Sequence, residues 1–144
     1  MPPESADLGS PLRWIRLAEA DLALAAAPLP RGAIYELLCF HAQQAAEKCI
    51  KAVLVHEGVD FPATHNIQRL VALLPDRVRG DDILVSAARL TAYAVGSRYP
   101  GTGEAVDEKE YLAALSTARK MHAWAVTYLR QAEADADRDS RRGG

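Results

Sequence analysis

The stretch "CFHAQQAAEKCIKAVLVHEG", residues 39 to 58, decides how this chain folds. Its spacing predicts a helix that reaches back to Ala33 and stops at Gly58, a residue type common just past a helix end. At about 100° per residue, Ile34, Leu38, Ala42, Ala45, Ala46, Cys49, Ala52 and Val53 share one broad half, the expected core face. The opposite half holds His41, Gln43, Gln44, Glu47, Lys48 and Lys51, but also Leu37, Phe40, Leu54 and Val55. A solvated face does not ordinarily carry four large apolar residues. The second half is therefore expected to be covered as well, by other helices, by a second subunit or by a ligand. His41, Gln44 and Lys48 fall in one line along it and Gln43, Glu47 and Lys51 in the next, with Glu47 and Lys51 at the favourable i, i+4 spacing. Two readings of this polar cluster stay open: a solvated stripe beside a dimer seam, or a half-buried patch that binds a phosphate-bearing ligand or another chain.

Outward from this helix the pattern stays helical. Ser10-Pro11 offers an N-cap followed by proline at the first helical position. Trp14, Ile15, Ala18, Leu22 and Ala25 then carry a first helix to about Ala27, where "PLPRG" breaks it. After the central helix, Thr64 caps a short helix over His65 to Leu74 with Ile67, Leu70, Val71 and Leu74 inward. Pro75 and "RVRGDD" interrupt, and a further helix runs from Asp81 or Asp82 to about Ser97. "RYPGTGEAVD", residues 98 to 107, reads as a loop. A last helix spans Asp107 to Ala134 with Tyr111, Leu115, Ala118, Met121, Ala125 and Leu129 as its stripe. The pattern predicts an all-α, up-and-down four-helix bundle with one additional short helix. Residues 1–10 form a flexible N-terminus, 11–134 the helical domain and 135–144 a disordered tail that lacks apolar anchors.

A chain of 144 residues is long enough to bury a core without metal or disulfide staples. Its formal net charge of −2 gives no cationic field for sequence-independent DNA binding, so any nucleotide contact must come from a local cluster. Cys39 and Cys49 lie on one helix about 15 Å apart, too far for a disulfide between them. Reduced, buried thiols fit a cytoplasmic protein. No apolar run is long enough for a membrane span, and the first residues lack the regions of a signal peptide. The sequence contains no Glu-x-x-His pair, no zinc-type Cys/His spacing and no phosphate-binding glycine loop, so no metal and no cofactor are expected.

Three segments in order, "CFHAQQAAEKCIKAVL", "PATHNIQRLVALLP" and "YAVGSRYPG", resemble the HEPN domain family, and the similarity covers roughly residues 12 to 130. The resemblance implies a helical bundle that commonly dimerises. It implies a prokaryotic setting in which many members are encoded beside a minimal nucleotidyltransferase as a toxin–antitoxin pair. Some members cleave RNA without a metal; others bind nucleotides. The cleaving members carry an arginine followed four to six residues later by histidine, a cation and an acid–base group close together. No arginine here stands in that relation to His41, His56, His65 or His122; Arg119 and His122, at i, i+3, come nearest. The chain therefore reads as a nucleotide-, RNA- or partner-binding module, with an RNA-cleaving toxin of divergent catalytic set as the alternative. The tentative ligand-binding residues are His41, Gln44, Lys48, Lys51, His65, Arg98 and Tyr99. Arg98 and Tyr99 either cap and cover a helix end, or offer guanidinium donors to phosphate and a ring to a base. A homodimer and a nucleotidyltransferase are the implied partners.

Overall fold

The computed structural model describes residues 9–94 and 105–143, and among them every regular element is a helix. Helix α1 spans Pro11–Ala25, α2 Tyr35–His56, α3 Ile67–Val71, α4 Asp76–Arg79 and α5 Asp82–Ala88; a 3₁₀ turn follows over Arg89–Tyr93, and α6 spans Glu108–Arg142. Ser10 caps α1 by accepting a hydrogen bond from the Arg13 N–H, with Pro11 at the first helical position. At the far end of α2, Gly58 takes a φ of +70°, the left-handed conformation that glycine adopts without a Cβ penalty. Val59 N–H then reaches back to the Leu54 carbonyl and Gly58 N–H to that of Val55, closing the helix with paired terminal carbonyls.

Cross-helix contacts set the directions. Asp21 of α1 meets His41 and Lys48 of α2, and Trp14 lies beside Lys51, so α1 runs antiparallel to α2. Tyr35 stacks on Tyr111, centroids 5.2 Å apart, while Tyr128 donates to Glu57, so α2 and α6 run the same way. Asp81 pairs with Trp124 and Tyr93 with Glu110, which makes α5 and its 3₁₀ extension antiparallel to α6. The result is the up-and-down four-helix bundle expected of the sequence, with α3 and α4 as short pieces in the crossover. Alanines 42, 45, 46 and 52 of α2 are fully buried and let the neighbouring helices approach closely around Ile50, Leu54, Leu84 and Met121.

The differences from the sequence expectation have local causes. The short helix α3 starts at Ile67, because Asn66, not Thr64, caps it by accepting from the Arg69 N–H. His65 therefore stands in the turn before that cap, outside the helix. The "RVRGDD" stretch is not merely a break: Pro75 opens a single turn, α4, anchored by buried Val78. The following helix tightens into a 3₁₀ turn at Arg89, which brings Leu90 and Tyr93 to the same buried side and lets Thr91 accept the Ile67 N–H. Ile34, expected in the core, precedes the first turn of α2 and is 51% exposed. Residues 135–142, expected as a disordered tail, continue α6, which side-chain pairing of Asp135 with Gln131 and Arg138 supports; Arg141 and Arg142 sit favourably in its last turn. Among the described residues no helix is long and apolar enough to cross a membrane.

Both cysteines are fully buried and form no disulfide with each other, and burial pushes the Cys49 thiol up to about 12. Neither thiol is expected to react with a thiol-specific reagent at pH 8 until the chain unfolds; rapid native-state labelling at Cys49 would contradict this packing. The Tyr111 hydroxyl donates to the Ala25 carbonyl at 2.6 Å, tying α6 to the end of α1. Tyr111→Phe is expected to lower stability by about 1–2 kcal/mol in urea unfolding, since a buried carbonyl loses its partner. Burial raises the Tyr111 hydroxyl above its ordinary value of 10.0. Its contribution is thus complete below pH 10 and lost as pH rises through the raised value, so the variant should show a flatter alkaline loss of stability.

Candidate functional site

The polar residues of α2 form two ionic clusters, and α1 and the segment before α3 cover them. The first lies between α1 and α2. Asp21, 8% exposed, accepts from Lys48 Nζ on one oxygen and lies 3.0 Å from His41 Nδ1 on the other. The two α2 residues are seven apart and so on the same face, and one carboxylate from the facing helix spans both. The His41 and Lys48 side chains remain 31% and 21% exposed at the edge of this contact.

The second cluster centres on Glu47, which is 2% exposed. Its Oε2 accepts from Lys51 Nζ at 2.8 Å, and its Oε1 lies 2.8 Å from His65 Nδ1 and accepts from Gln43 Nε2 at 3.4 Å. Gln43 also donates to the His65 carbonyl at 2.9 Å, and Gln44 donates to the Gln43 amide oxygen at 2.8 Å. Lys51 Nζ lies 5.4 Å from the Trp14 ring and 5.6 Å from the Phe61 ring, so an aromatic from α1 and one from the 59–66 segment close over it. No buried side-chain nitrogen or oxygen among the described residues is without a partner. Two buried carboxylates thus meet two ammonium groups and two imidazoles inside one protomer.

This arrangement answers the question posed by the helix. Its second half is covered chiefly by the chain's own elements, and Leu54 is fully buried there, whereas Leu37 stays 48% exposed and Phe40 and Val55 are half-buried. Of the residues selected from sequence, Gln44 and Lys51 are buried within the network, and His41, Lys48 and His65 reach its surface. Arg98 and Tyr99 lie outside the described residues. Sequence reading did not single out Asp21. It stands in a helix read for its apolar stripe, and its only signal was an acidic residue flanked by Ala20 and Leu22. Glu47 was read as the partner of Lys51, and the geometry adds His65 as a second partner.

The result is a four-helix bundle whose central helix carries a shielded ionic network with imidazoles at its rim. The family model of the HEPN domain matches residues 12–135, and the chain belongs to the HEPN domain family. It is similar to the crystal structure of an archaeal HEPN homologue, with 29% sequence identity and a TM-score of 0.61 over 83% of this chain and 97% of that one. No curated protein matches it significantly in sequence.

Removing Glu47 alone leaves a buried ammonium without its counter-charge. Glu47→Leu is expected to destabilise the fold by about 3–5 kcal/mol. The pair Glu47→Leu with Lys51→Met should cost much less than the sum of the single changes. A double-mutant cycle in denaturant checks this, and additive losses would mean that the pair contributes no coupling.

Proposed function

We propose that this HEPN domain is a nucleotide- or RNA-binding module, acting as a cytoplasmic homodimer and as one component of a toxin–antitoxin-type pair with a nucleotidyltransferase. The observation that supports binding is the presentation of His41, Lys48 and His65 at the rim of the network. His65 is 63% exposed although its Nδ1 is held by a buried carboxylate. Such a ring is fixed in direction while Nε2, on its far side, faces outward; protonated, it donates to a phosphate oxygen. Lys51, Gln43 and Gln44 hold that frame from inside. Support for a homodimer comes from Leu24, Ile34, Leu37 and Leu112, about half exposed at the ends of α1, α2 and α6 that lie together. The nucleotidyltransferase partner and the toxin–antitoxin setting rest on the family resemblance.

One observation favours the cleavage reading: His41 and His65 each pair through Nδ1 with a carboxylate, an arrangement that can orient a general acid or base. The placement of the two anchors opposes it. His41 and Glu47 are six residues apart on α2, about 9 Å along the axis and roughly 120° around it. The two rings are thus anchored at separate points of α2, which speaks against their sharing one scissile phosphate within a protomer.

The test is to incubate the full chain with structured and unstructured RNA, and in parallel to titrate it with nucleoside triphosphates. Saturable binding without cutting is expected, weakened several-fold by Lys48→Ala at unchanged helicity. Cutting that disappears in His41→Gln or His65→Gln would replace binding by catalysis as the function. Absence of both binding and cutting would overturn the proposal.

A further inference from the structure

The flank of α6 that faces Asp81 and Glu57 carries two half-buried aromatic side chains one turn apart, Trp124 and Tyr128. Their rings are nearly parallel, 30° between planes, with centroids 6.2 Å apart. Both are held at their polar tips by carboxylates from outside the helix. The Trp124 indole N–H donates to Asp81 at 2.9 Å, and the Tyr128 hydroxyl donates to Glu57 at 2.6 Å while accepting from Arg77 at 3.4 Å. Each ring is thereby fixed before anything binds, and the two carboxylates are already engaged. Burial and the Glu57 contact raise the Tyr128 hydroxyl above its ordinary value, so it stays protonated as a donor at neutral pH.

Small side chains, Ala123 and Thr127, leave a shallow cavity of about 490 Å³ beside the rings. Lys120 lines the same cavity one turn before Trp124, and it makes no hydrogen bond or ion pair among the described residues. A fixed aromatic ledge with one unengaged ammonium at its end matches a planar base that carries a phosphate. Stacking supplies contact to any base, and the cation supplies the phosphate contact. The network on α2 lacks this combination: its lysines are paired with Asp21 and Glu47, and among the described residues no pair of stacked rings lies beside Lys48 at its rim.

We infer that Trp124 and Tyr128 form a stacking shelf for a nucleobase, with Lys120 as the contact to its phosphate. The inference rests on the nucleotide- or RNA-binding reading and gives it a second surface. The shared ligand chemistry is a base with its phosphate, present in a free nucleotide and in a single strand alike.

The experiment titrates the full chain with AMP, with ATP and with a 12-nucleotide single-stranded oligoadenylate, following tryptophan fluorescence and the anisotropy of labelled ligand. The other tryptophan, Trp14, is 7% exposed and closes over Lys51 of the α2 network, so the fluorescence change lost in Trp124→Phe is the part that reports on the shelf. Saturable quenching is expected. Trp124→Ala should weaken binding roughly five- to hundredfold per stacked base, whereas Trp124→Phe should retain most of the affinity. Lys120→Ala should reduce the slope of log affinity against log salt by about 0.7 for the oligonucleotide. Sensitivity to Trp124→Ala with the mononucleotides supports the shelf with free nucleotide as ligand, and sensitivity with the oligonucleotide alone supports it with a strand. A folded Trp124→Ala chain that binds like the wild type overturns the shelf and leaves the binding function standing. A wild-type chain that binds none of the three overturns both.

Discussion

One buried carboxylate organises the centre of this protein. Glu47 sits on α2, the helix against which α1, α6 and the 3₁₀ turn pack, and it gathers groups from three places: Lys51 one turn on, Gln43 one turn back and His65 from the segment leading into α3. A carboxylate so far removed from water is stable only if its oxygens are satisfied and its charge is met. The residues that meet it determine where neighbouring parts of the chain go. Lys51 carries the rings of Trp14 and Phe61 against its ammonium end, which fixes the start of α1 and the turn after α2 at one spot. His65, brought to Glu47, holds the turn that leads directly into the Asn66 cap. A hydrophobic replacement of the pair would fill similar volume but would not specify which turn closes over the helix.

The bundle was largely legible in the sequence because its information is periodic and local. Apolar residues at helical spacing gave four long helices, and Ser10-Pro11 and Gly58 marked ends through chemistry confined to a few residues. Errors arose where two local signals competed. Thr64 and Asn66 are both good caps, and the side chain of Asn66 won because it reaches the Arg69 N–H, while Thr64 accepts from Asn66 itself. The continuation of α6 past Ala134 escaped because no apolar residue marks it. Its support comes from polar pairs three and four residues apart, a weaker signal than a buried stripe.

The candidate site was legible only in half. Sequence identified the unusual α2 residues and the fact that they needed cover, since a polar cluster interleaved with large apolar side chains is not a solvated face. It did not say what the cover was. The partner of His41 and Lys48 is Asp21, 20 and 27 residues away on an antiparallel helix, and no periodicity relates positions across two helices. The same holds for Trp124, whose position on α6 was ordinary until Asp81 was found against its indole.

Shielding the network changes what the charges on α2 are for. An ammonium paired with a buried carboxylate contributes little field at the surface, so Lys51 serves the fold while Lys48 and the two imidazoles project its edge outward. A chain with a net charge of −2 cannot attract a polyanion by its overall field, and long-range attraction is in any case screened within about 8 Å at physiological salt. The proposed nucleotide or RNA recognition would therefore be short-range: fixed donors at hydrogen-bond distance and aromatic faces for stacking. Both demand side chains that do not reorganise on contact. In this molecule the carboxylates that stabilise the fold, Asp21, Glu47, Glu57 and Asp81, are the same groups that immobilise His41, His65, Tyr128 and Trp124. Fold and proposed recognition surface thus share one set of anchors, so a substitution that loosens an anchor is expected to blur that surface even where the helices persist.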